Sequence, residues 1–500
     1  MSMSMPMPMS MSNLIIENFT TFEVSKHVDK NLITIPIEDN AYFGILNVKT
    51  ASCQMTDKTQ EFVFVIDRSG SMCDICNDGR TKMHHIKHTL QNMVTYCCQL
   101  ENIQIYVSIF MFDDNLDIVI ERTLVDKNNM NEILQKIQEI QAGGCTNIEE
   151  ALTEVAKYMN QLNLSHNINH IFMTDGQATA GETNREKLKK MVIKSNVSNS
   201  FIGFGIDHDS VLLSHVSNDK NSSYYFIDAI ERSGLVYGEI LHGILYKLLT
   251  DVYITIDNGL IYDYKNNVWT NKLCVEDITG DANKTYHLVS KEALDCRAFI
   301  SANELDYCVG SNIIVNYDTD LTKYIYRQRT LCMLYDVKSF QENFISHDDI
   351  DMEKTLRQKS RVYKQCCTYL KNSLKELYEE IKKYMTDNAL TDDKFMKNLC
   401  DDIFVCHKTF GTKYGAMYST SRQTSQATQR CYAVNQTPIT NPYGRRRFDV
   451  DIMDEDNELV DHELSNFIDT PYSSQTATMV MSAVSGFDFV DDDLNKTQIM

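Results

Sequence analysis

Residues 62–72 read Phe62-Val-Phe-Val-Ile-Asp67-Arg-Ser69-Gly-Ser71-Met. Five consecutive apolar residues predict a strand that is buried on both faces, as strands of parallel sheets are. The strand ends in a carboxylate followed by two hydroxyls at alternate positions. Ligands of open α/β sheets bind outside the carboxyl ends of the strands, and oxygen donors suit a small divalent cation such as Mg2+. Three donors do not complete an octahedron, so further ligands must come from elsewhere in the chain.

Two later segments supply candidate ligands. Residues 142–151 form a glycine-containing loop, Ala-Gly-Gly-Cys-Thr146-Asn, that opens a helix, and residues 168–176 form a second buried strand ending in Thr-Asp175-Gly. Each has a simpler interpretation. Thr146 with Glu149 three residues later matches a capping box, and Asp175 followed by glycine matches an ordinary turn. The order of the three segments, each at the expected end of its element, favours a shared metal site.

Together the three segments resemble the metal-ion-dependent adhesion site of the von Willebrand factor A family. The resemblance implies five protein ligands for Mg2+ or Mn2+: Asp67, Ser69, Ser71, Thr146 and Asp175. It implies that the hydroxyls contact the metal closely and that a carboxylate often acts through water. It also implies that an open coordination position accepts a carboxylate from a protein partner.

Strands alternate with helices through this region, which predicts a doubly wound α/β domain. The expected strands are 62–66, 103–112, 116–120, 168–173, 201–206 and 224–227, with 116–120 as an antiparallel edge. The complete prediction is an α/β von Willebrand factor A domain inserted in a β-sandwich, followed by a helical hairpin and a disordered acidic tail. Its boundaries are a disordered leader at 1–13, a sandwich from 14–57 plus 251–335, the A domain at 58–250, a helical region at 336–432 and the tail at 433–500.

The flanking predictions rest on periodicity. Short apolar runs such as Val252–Ile256 alternate with Asn, Gly and Asp turns, which is typical of antiparallel β structure. From Tyr363 to Tyr384, apolar residues recur every three or four positions in an unbroken heptad stripe. Because this stripe spans only about three heptads, a hairpin packed on the body is favoured over a free coiled coil.

Charge and targeting signals restrict the partners and the compartment. The formal net charge is −21, and the segment from Phe448 onward contains thirteen carboxylates and only one lysine. This balance disfavours binding to nucleic acid or to an anionic membrane surface. The start of the chain lacks a basic and apolar secretory signal, so the fifteen cysteines are expected to be free thiols and the location cytoplasmic, with a virion as the alternative.

Cys73 and Cys76 follow the first ligand segment directly, and His84, His85 and His88 lie close in sequence. A zinc or redox site is one interpretation. The other is a loop insertion whose histidines decorate the next helix. The interval from cysteine to histidine is shorter than in common zinc sites, and the chain has no second Cys-x-x-Cys, so the loop is favoured.

The favoured function is non-enzymatic: a protein-interaction module that binds an acidic residue of a partner through the metal. His170 is expected to be a core residue, and no histidine can be assigned to activate Cys145 as a nucleophile. Two alternatives remain open. A structural virion protein is suggested by a bias toward Asn, Asp, Ile and Lys and by a resemblance to A-domain proteins of giant DNA viruses and protists. A ubiquitin-pathway adaptor is suggested by residues 414–430, which resemble a segment of RING-containing A-domain proteins, although this chain has no RING ligand array. The sequence does not indicate an oligomeric state.

Overall fold

The computed structural model describes residues 14–23, 42–76, 79–163, 165–192, 197–205, 208–217, 220–227, 233–291, 296–302, 305–309, 320–345, 352–411, 415–431 and 470–486. The predicted leader at 1–13 lies outside these residues, as do parts 433–469 and 487–500 of the predicted tail. The chain divides into two compact units. The first contains residues 1–56, 242–329 and 474–476, and the second contains residues 57–241, 330–473 and 477–500.

The strands are β1 (Leu14–Glu23), β2 (Tyr42–Thr50), β3 (Gln60–Asp67), β4 (Ile105–Phe112), β5 (Leu116–Leu124), β6 (Asn167–Thr174), β7 (Val197–Phe204), β8 (Ser222–Ile227), β9 (Lys247–Leu249), β10 (Tyr253–Asp257), β11 (Gly259–Asp263), β12 (Val268–Thr270), β13 (Lys272–Cys274), β14 (Ile278–Thr279), β15 (Asn283–Ser290), β16 (Arg297–Ala302) and β17 (Leu305–Val309).

The helices are α1 (Lys82–Gln99), α2 (Met130–Gln138), α3 (Ile148–Met159), α4 (Arg185–Lys189), α5 (Ser210–Val216), α6 (Ser233–Leu245), α7 (Thr322–Ile345), α8 (Met352–Asp387), α9 (Lys394–Thr409), α10 (Gly415–Thr428) and α11 (Gln475–Gly486). Among the described residues, no helix is both long enough and apolar enough to cross a membrane.

A six-stranded sheet forms the centre of the second unit. Its strand order is β5-β4-β3-β6-β7-β8, and every neighbouring pair is parallel except β4 with β5. The predicted doubly wound α/β fold with an antiparallel edge strand is therefore confirmed. The chain moves from β3 to β4 on one side and later returns to β6 on the other. The carboxyl ends of β3 and β6 thus flank the switch point, which is where such sheets bind ligands.

Burial explains why β3 lies in the middle of this sheet. All eight of its residues are buried, and those of β6 are buried from Ile168 onward. A strand that is covered on both faces favours apolar side chains, which β3 supplies from Phe62 to Ile66 and β6 from Ile171 to Met173. The buried His170 of β6 has Asn199 as its hydrogen-bond partner. The polar residues that end these strands are consequently held at a rigid edge.

Two sheets of the first unit share one hydrophobic cluster. One sheet has the order β1-β2-β15-β11-β12 and the other β13-β10-β16-β17. Leu46 of β2 and Leu288 of β15 pack in the same cluster as Ile254 of β10 and Ile300 of β16. Strand β2 precedes the α/β region and pairs with β15, which follows it. The sandwich is thus built from both flanks of the inserted domain.

The predicted sandwich boundary at 335 is wrong, because α7 already begins at Thr322. Leu321 is buried against Phe43 and Val289, and Ile325 packs against the same cluster. The start of this helix therefore covers an apolar sheet face, a contact that local periodicity does not predict.

The predicted helical hairpin consists of α8 and α9. The Cys400 thiol lies 3.7 Å from the Met385 sulfur, and the Tyr378 and Phe404 rings are 6.3 Å apart, so the helices run antiparallel. The stripe positions Cys367, Leu374, Leu377 and Ile381 are buried.

The prediction of disorder throughout 433–500 is wrong for residues 470–486. These residues include α11, in which Val480, Met481 and Val484 are almost completely buried. Half of the residues of α11 are apolar, and four of them are buried: Ala477, Val480, Met481 and Val484. Residues 470–486 contain no carboxylate, so the acidic composition of the whole tail was a poor guide to whether this segment folds.

Candidate metal centre

Asp67 ends β3 and is completely buried. One carboxylate oxygen, Oδ1, accepts a hydrogen bond from the Ser69 backbone N–H at 2.7 Å. The other, Oδ2, accepts one from the Thr174 hydroxyl at 2.6 Å. Burial raises the pKa of this carboxyl to about 6, although both hydrogen bonds act in the opposite direction. The site therefore contains a buried acid whose negative charge is only partly compensated by neutral donors.

The two serines connect Asp67 to Asp175. Residues Gly70–Cys73 form one turn of 3-10 helix directly after β3. This turn brings the Ser71 hydroxyl to 3.1 Å from the Ser69 hydroxyl and to 2.7 Å from Asp175 Oδ1, to which it donates. Asp175 follows β6 and is completely buried. The chain thus places two carboxylates and two hydroxyls in one continuous cluster at the switch point.

Thr146 joins the cluster from the loop before α3. The Gly70 N–H donates to the Gly144 carbonyl at 3.0 Å, and the Gly143 N–H donates to the Arg68 carbonyl at 2.7 Å. A Cβ atom at Gly176 would lie 3.6 Å from Thr146 Oγ1 and 3.9 Å from Ser71 Oγ. Both hydroxyls therefore border the same small volume beside Gly176.

The capping-box interpretation of Thr146 is wrong. Helix α3 begins at Ile148, and its N-cap is Asn147, whose side chain accepts from the Glu150 N–H at 3.2 Å. Glu149 instead accepts from the Glu182 backbone N–H. The Thr146 backbone pairs with Thr179 in both directions, at 2.9 and 3.0 Å. Since Asn147 caps the helix, the Thr146 hydroxyl is not needed for that purpose.

Lys82, at the start of α1, contacts the site directly. Its ammonium group lies 2.7 Å from Asp175 Oδ2 and 3.3 Å from Asp74 Oδ2. Burial opposes the charged form of this lysine, but the adjacent carboxylates outweigh that effect and raise its pKa above the ordinary value. Asp175 therefore holds a hydroxyl on one oxygen and a cation on the other.

These residues fit a divalent metal by the chemistry of their donors. All five predicted ligands offer oxygen, which suits Mg2+ or Mn2+ rather than a soft metal. Only two of the five are carboxylates. In agreement, the described part of the chain contains no group of three or more His, Cys, Asp or Glu residues that could hold a metal. A metal at this position would depend on hydroxyl ligands as much as on charge.

Cys73 and Cys76 were considered as ligands of a zinc site. Among the described residues, they do not belong to a group of three or more His, Cys, Asp or Glu side chains that could hold a metal. Cys73 is exposed, and its thiol lies 3.9 Å from the Ala142 carbonyl. His85 is buried in α1. The loop interpretation of Cys73 and Cys76 stays a prediction.

His170 and Cys145 are the two residues that were considered for catalysis, and their environments bear on that role. His170 is buried in β6, and its Nδ1 lies 2.9 Å from Asn199 Oδ1. Burial lowers the pKa of His170 to about 4, so it is neutral near pH 7. Cys145 is exposed, and hydrogen bonding to Asp114 together with its negative charge raises the pKa of the thiol. A nucleophilic cysteine needs the opposite shift.

Sequence reasoning missed two residues of the site. Thr174 immediately precedes Asp175, so the motif itself could have indicated its hydroxyl. Lys82 had no comparable signal, because its contact depends on where α1 begins and how its long side chain turns.

Comparisons with known proteins agree with this architecture. Residues 61–235 match the family model of the von Willebrand factor type A domain. The inter-alpha-trypsin inhibitor heavy chain H2 of Homo sapiens is 30% identical over 225 residues, and that of Sus scrofa is 28% identical over 224 residues. Each alignment covers 42% of this chain, and the two span only 22% and 23% of those relatives.

Among solved structures, the ArnB paralog VWA2 of Sulfolobus acidocaldarius is similar, with a TM-score of 0.47 and 12% identity over 83% of this chain and 97% of that one. The family model and the strand order lead to the same conclusion. This chain contains a von Willebrand factor A domain.

Proposed function

We propose that this chain is a non-enzymatic interaction protein that binds a carboxylate of a protein partner through Mg2+ or Mn2+. The metal would be held by Asp67, Ser69, Ser71, Thr146 and Asp175. The observation that carries this proposal is the convergence of these oxygen donors around a buried carboxylate at the switch point of the sheet. When bound, such a cation supplies a positively charged open position for an anionic ligand.

The protein residues have separate tasks in this proposal. The Thr174 hydroxyl donates to one oxygen of Asp67 and the Ser69 N–H donates to the other, so the carboxylate is oriented by two hydrogen bonds. The turn Gly70–Cys73 orients Ser71 toward Asp175. Two backbone hydrogen bonds, from Gly70 to Gly144 and from Gly143 to Arg68, hold the Thr146 loop against this turn. Three separate loops thus form one preorganised ligand set.

The surroundings of the other reactive groups support a binding role over an enzymatic one. His170 is packed inside the sheet, and the thiol of Cys145 is shifted away from the reactive thiolate form.

A cytoplasmic location remains part of the proposal. The cysteines among the described residues are free thiols, which agrees with a reducing compartment.

A capture experiment tests this function. The immobilised full-length chain would be exposed to a lysate with Mg2+ and, separately, with EDTA. We expect at least one protein to be retained only with Mg2+ and to be lost when Asp67→Ala replaces the wild type. Changing one acidic residue of that protein to its amide should abolish the interaction.

An exposed carboxylate far from the site provides the control. Glu101→Ala removes the same charge from a loop before β4 and should retain the partner. Identical sets of bound proteins with Mg2+, with EDTA and with Asp67→Ala would contradict the proposed function.

A further inference from the structure

We propose, building on the metal function above, that Lys82 is a built-in competing cation. It keeps the affinity of the site for a divalent metal low until the carboxylate of a partner binds. Metal and partner would then bind cooperatively, and Lys82 would set the strength of that coupling.

The contact between Lys82 and Asp175 is the first argument. The ammonium group lies 2.7 Å from Asp175 Oδ2, while Oδ1 of the same carboxylate accepts from Ser71. Asp175 is completely buried, and only 13% of the Lys82 side chain is exposed. Water therefore screens this pair weakly. A metal ligated by Asp175 would share its carboxylate with a fixed positive charge.

The second partner of Lys82 does not cancel this charge. Asp74 lies 3.3 Å from the ammonium group, but its side chain is 64% exposed. Exposed ion pairs are well solvated and contribute little. Arg68 is a further cation near the site, but it is already paired with Asp113 and Asp117. Among the described residues, Lys82 is therefore the cation in direct contact with a ligand carboxylate.

The charge balance of the cluster gives the second argument. Among the enclosed side chains, the carboxylates Asp67 and Asp175 and the Lys82 ammonium group leave a single net negative charge. Asp74 is left out of this balance because its carboxylate is exposed and well solvated. A divalent cation would turn this into a single net positive charge. One carboxylate from a partner would restore neutrality. Without Lys82, the metal alone would already neutralise the site, and the partner would add little to metal affinity.

This arrangement predicts reciprocal binding. Because coupling between two ligands is the same in both directions, a site that loads metal better with a carboxylate also binds the carboxylate better with metal. A protein with Lys82 would thus hold metal weakly when alone and firmly in its complex.

A Mn2+ titration of the full-length chain tests the inference, with free Mn2+ followed by its electron paramagnetic resonance signal. We expect Lys82→Met to bind Mn2+ at least about tenfold more tightly than wild type, because a nearby positive charge is removed. Lys82→Arg should remain close to wild type. Replacing chloride by acetate at equal ionic strength should tighten Mn2+ binding in wild type more than in Lys82→Met.

Two further variants keep the result interpretable. Lys82→Gln removes the charge but retains a donor for Asp175, so it should also bind Mn2+ more tightly if Lys82→Met folds poorly. Lys157→Met removes an exposed lysine that pairs with Glu154 on α3, and it should leave Mn2+ affinity unchanged. Thermal unfolding in EDTA would verify that each variant is folded.

The possible outcomes separate this inference from the metal site itself. One outcome is that wild type, Lys82→Met and Lys82→Gln bind Mn2+ equally well, whereas Asp67→Ala does not bind it. This result would overturn the inference about Lys82 and leave the metal site intact. Weaker binding in both neutral variants would also overturn it and indicate that Lys82 only orients Asp175. If Asp67→Ala does not reduce Mn2+ binding, or if no Mn2+ binding is detected in any variant, both proposals are overturned.

Discussion

A completely buried carboxylate is costly unless another group compensates its charge. Asp67 receives two short hydrogen bonds from neutral donors, yet burial still raises its pKa to about 6. The raised pKa means that the fold around the isolated carboxylate disfavours its charged form. A divalent cation at the cluster would reverse this preference, because it stabilises the ionised carboxylate directly.

Gly144 connects the Thr146 loop to the turn Gly70–Cys73, because its carbonyl accepts from the Gly70 N–H. Its φ of +88° lies in the left-handed region, and a Cβ there would be 2.8 Å from Asp113 Cβ. We expect Gly144→Ala to destabilise the protein by roughly 2 kcal/mol, from backbone strain and this clash. Metal binding should weaken as well, since the loop carries Thr146. Urea unfolding and a Mn2+ titration measure the two effects.

The neighbouring glycine is a matched control for this substitution. A Cβ at Gly143 would meet no atom within 4 Å, and its φ is not positive. Gly143→Ala should therefore leave both measurements almost unchanged. Equal behaviour of the two variants would show that the loop does not depend on the conformation of Gly144.

At the level of elements, the second unit has an unusually polar helix in its interior. Every residue of α10 from Gly415 to Gln423 is buried, and Arg422 pairs with Asp402 of α9 at 2.9 Å with both side chains almost fully enclosed. Burial raises the pKa of Asp402 to about 6 even beside this arginine. A helix of this composition would not have been predicted as buried from hydrophobic periodicity alone.

Helix α11 packs closely against α6 at Gly238. A Cβ at this glycine would lie 2.6 Å from the Met481 Cα atom, which belongs to the backbone and cannot rotate away. We expect Gly238→Ala to loosen residues 475–486 and to raise their amide hydrogen exchange, which mass spectrometry can measure. The loss should be roughly 1–3 kcal/mol, as for other overpacked sites.

Gly243 lies in the same helix and provides the comparison. A Cβ there would meet no atom within 4 Å. Because alanine favours helix more than glycine does, Gly243→Ala should be neutral or slightly stabilising. If Gly238→Ala left the exchange of residues 475–486 as slow as Gly243→Ala does, the close packing of α11 on α6 would be refuted.

At the scale of the whole molecule, the parts that sequence predicted best are those governed by local pattern. The strand ending at Asp67 has five consecutive apolar residues, and the strand ending at Thr174 is buried from Ile168 onward. The position of their polar ends follows from the doubly wound topology. The structure brings the five predicted ligands to one edge of the sheet.

The parts that sequence predicted poorly depend on contacts between distant residues. The start of α7 is fixed by Leu321 packing on a sheet formed from both flanks of the chain. Met481 of α11 approaches Gly238 closely, although more than 200 residues separate them in the sequence. The contact between Lys82 and Asp175 spans 93 residues. None of these contacts leaves a periodic signal in the local sequence.

The central claim is that Asp67, Ser69, Ser71, Thr146 and Asp175 form one metal site. Titration calorimetry of Mg2+ into the full-length chain tests it most directly, with Asp67→Ala and Glu101→Ala as the paired variants. We expect weak but saturable Mg2+ binding in wild type and Glu101→Ala and no measurable binding in Asp67→Ala, which lacks a charged ligand. Circular dichroism should show that Asp67→Ala remains folded. Equal Mg2+ binding by folded Asp67→Ala and wild type would contradict the account.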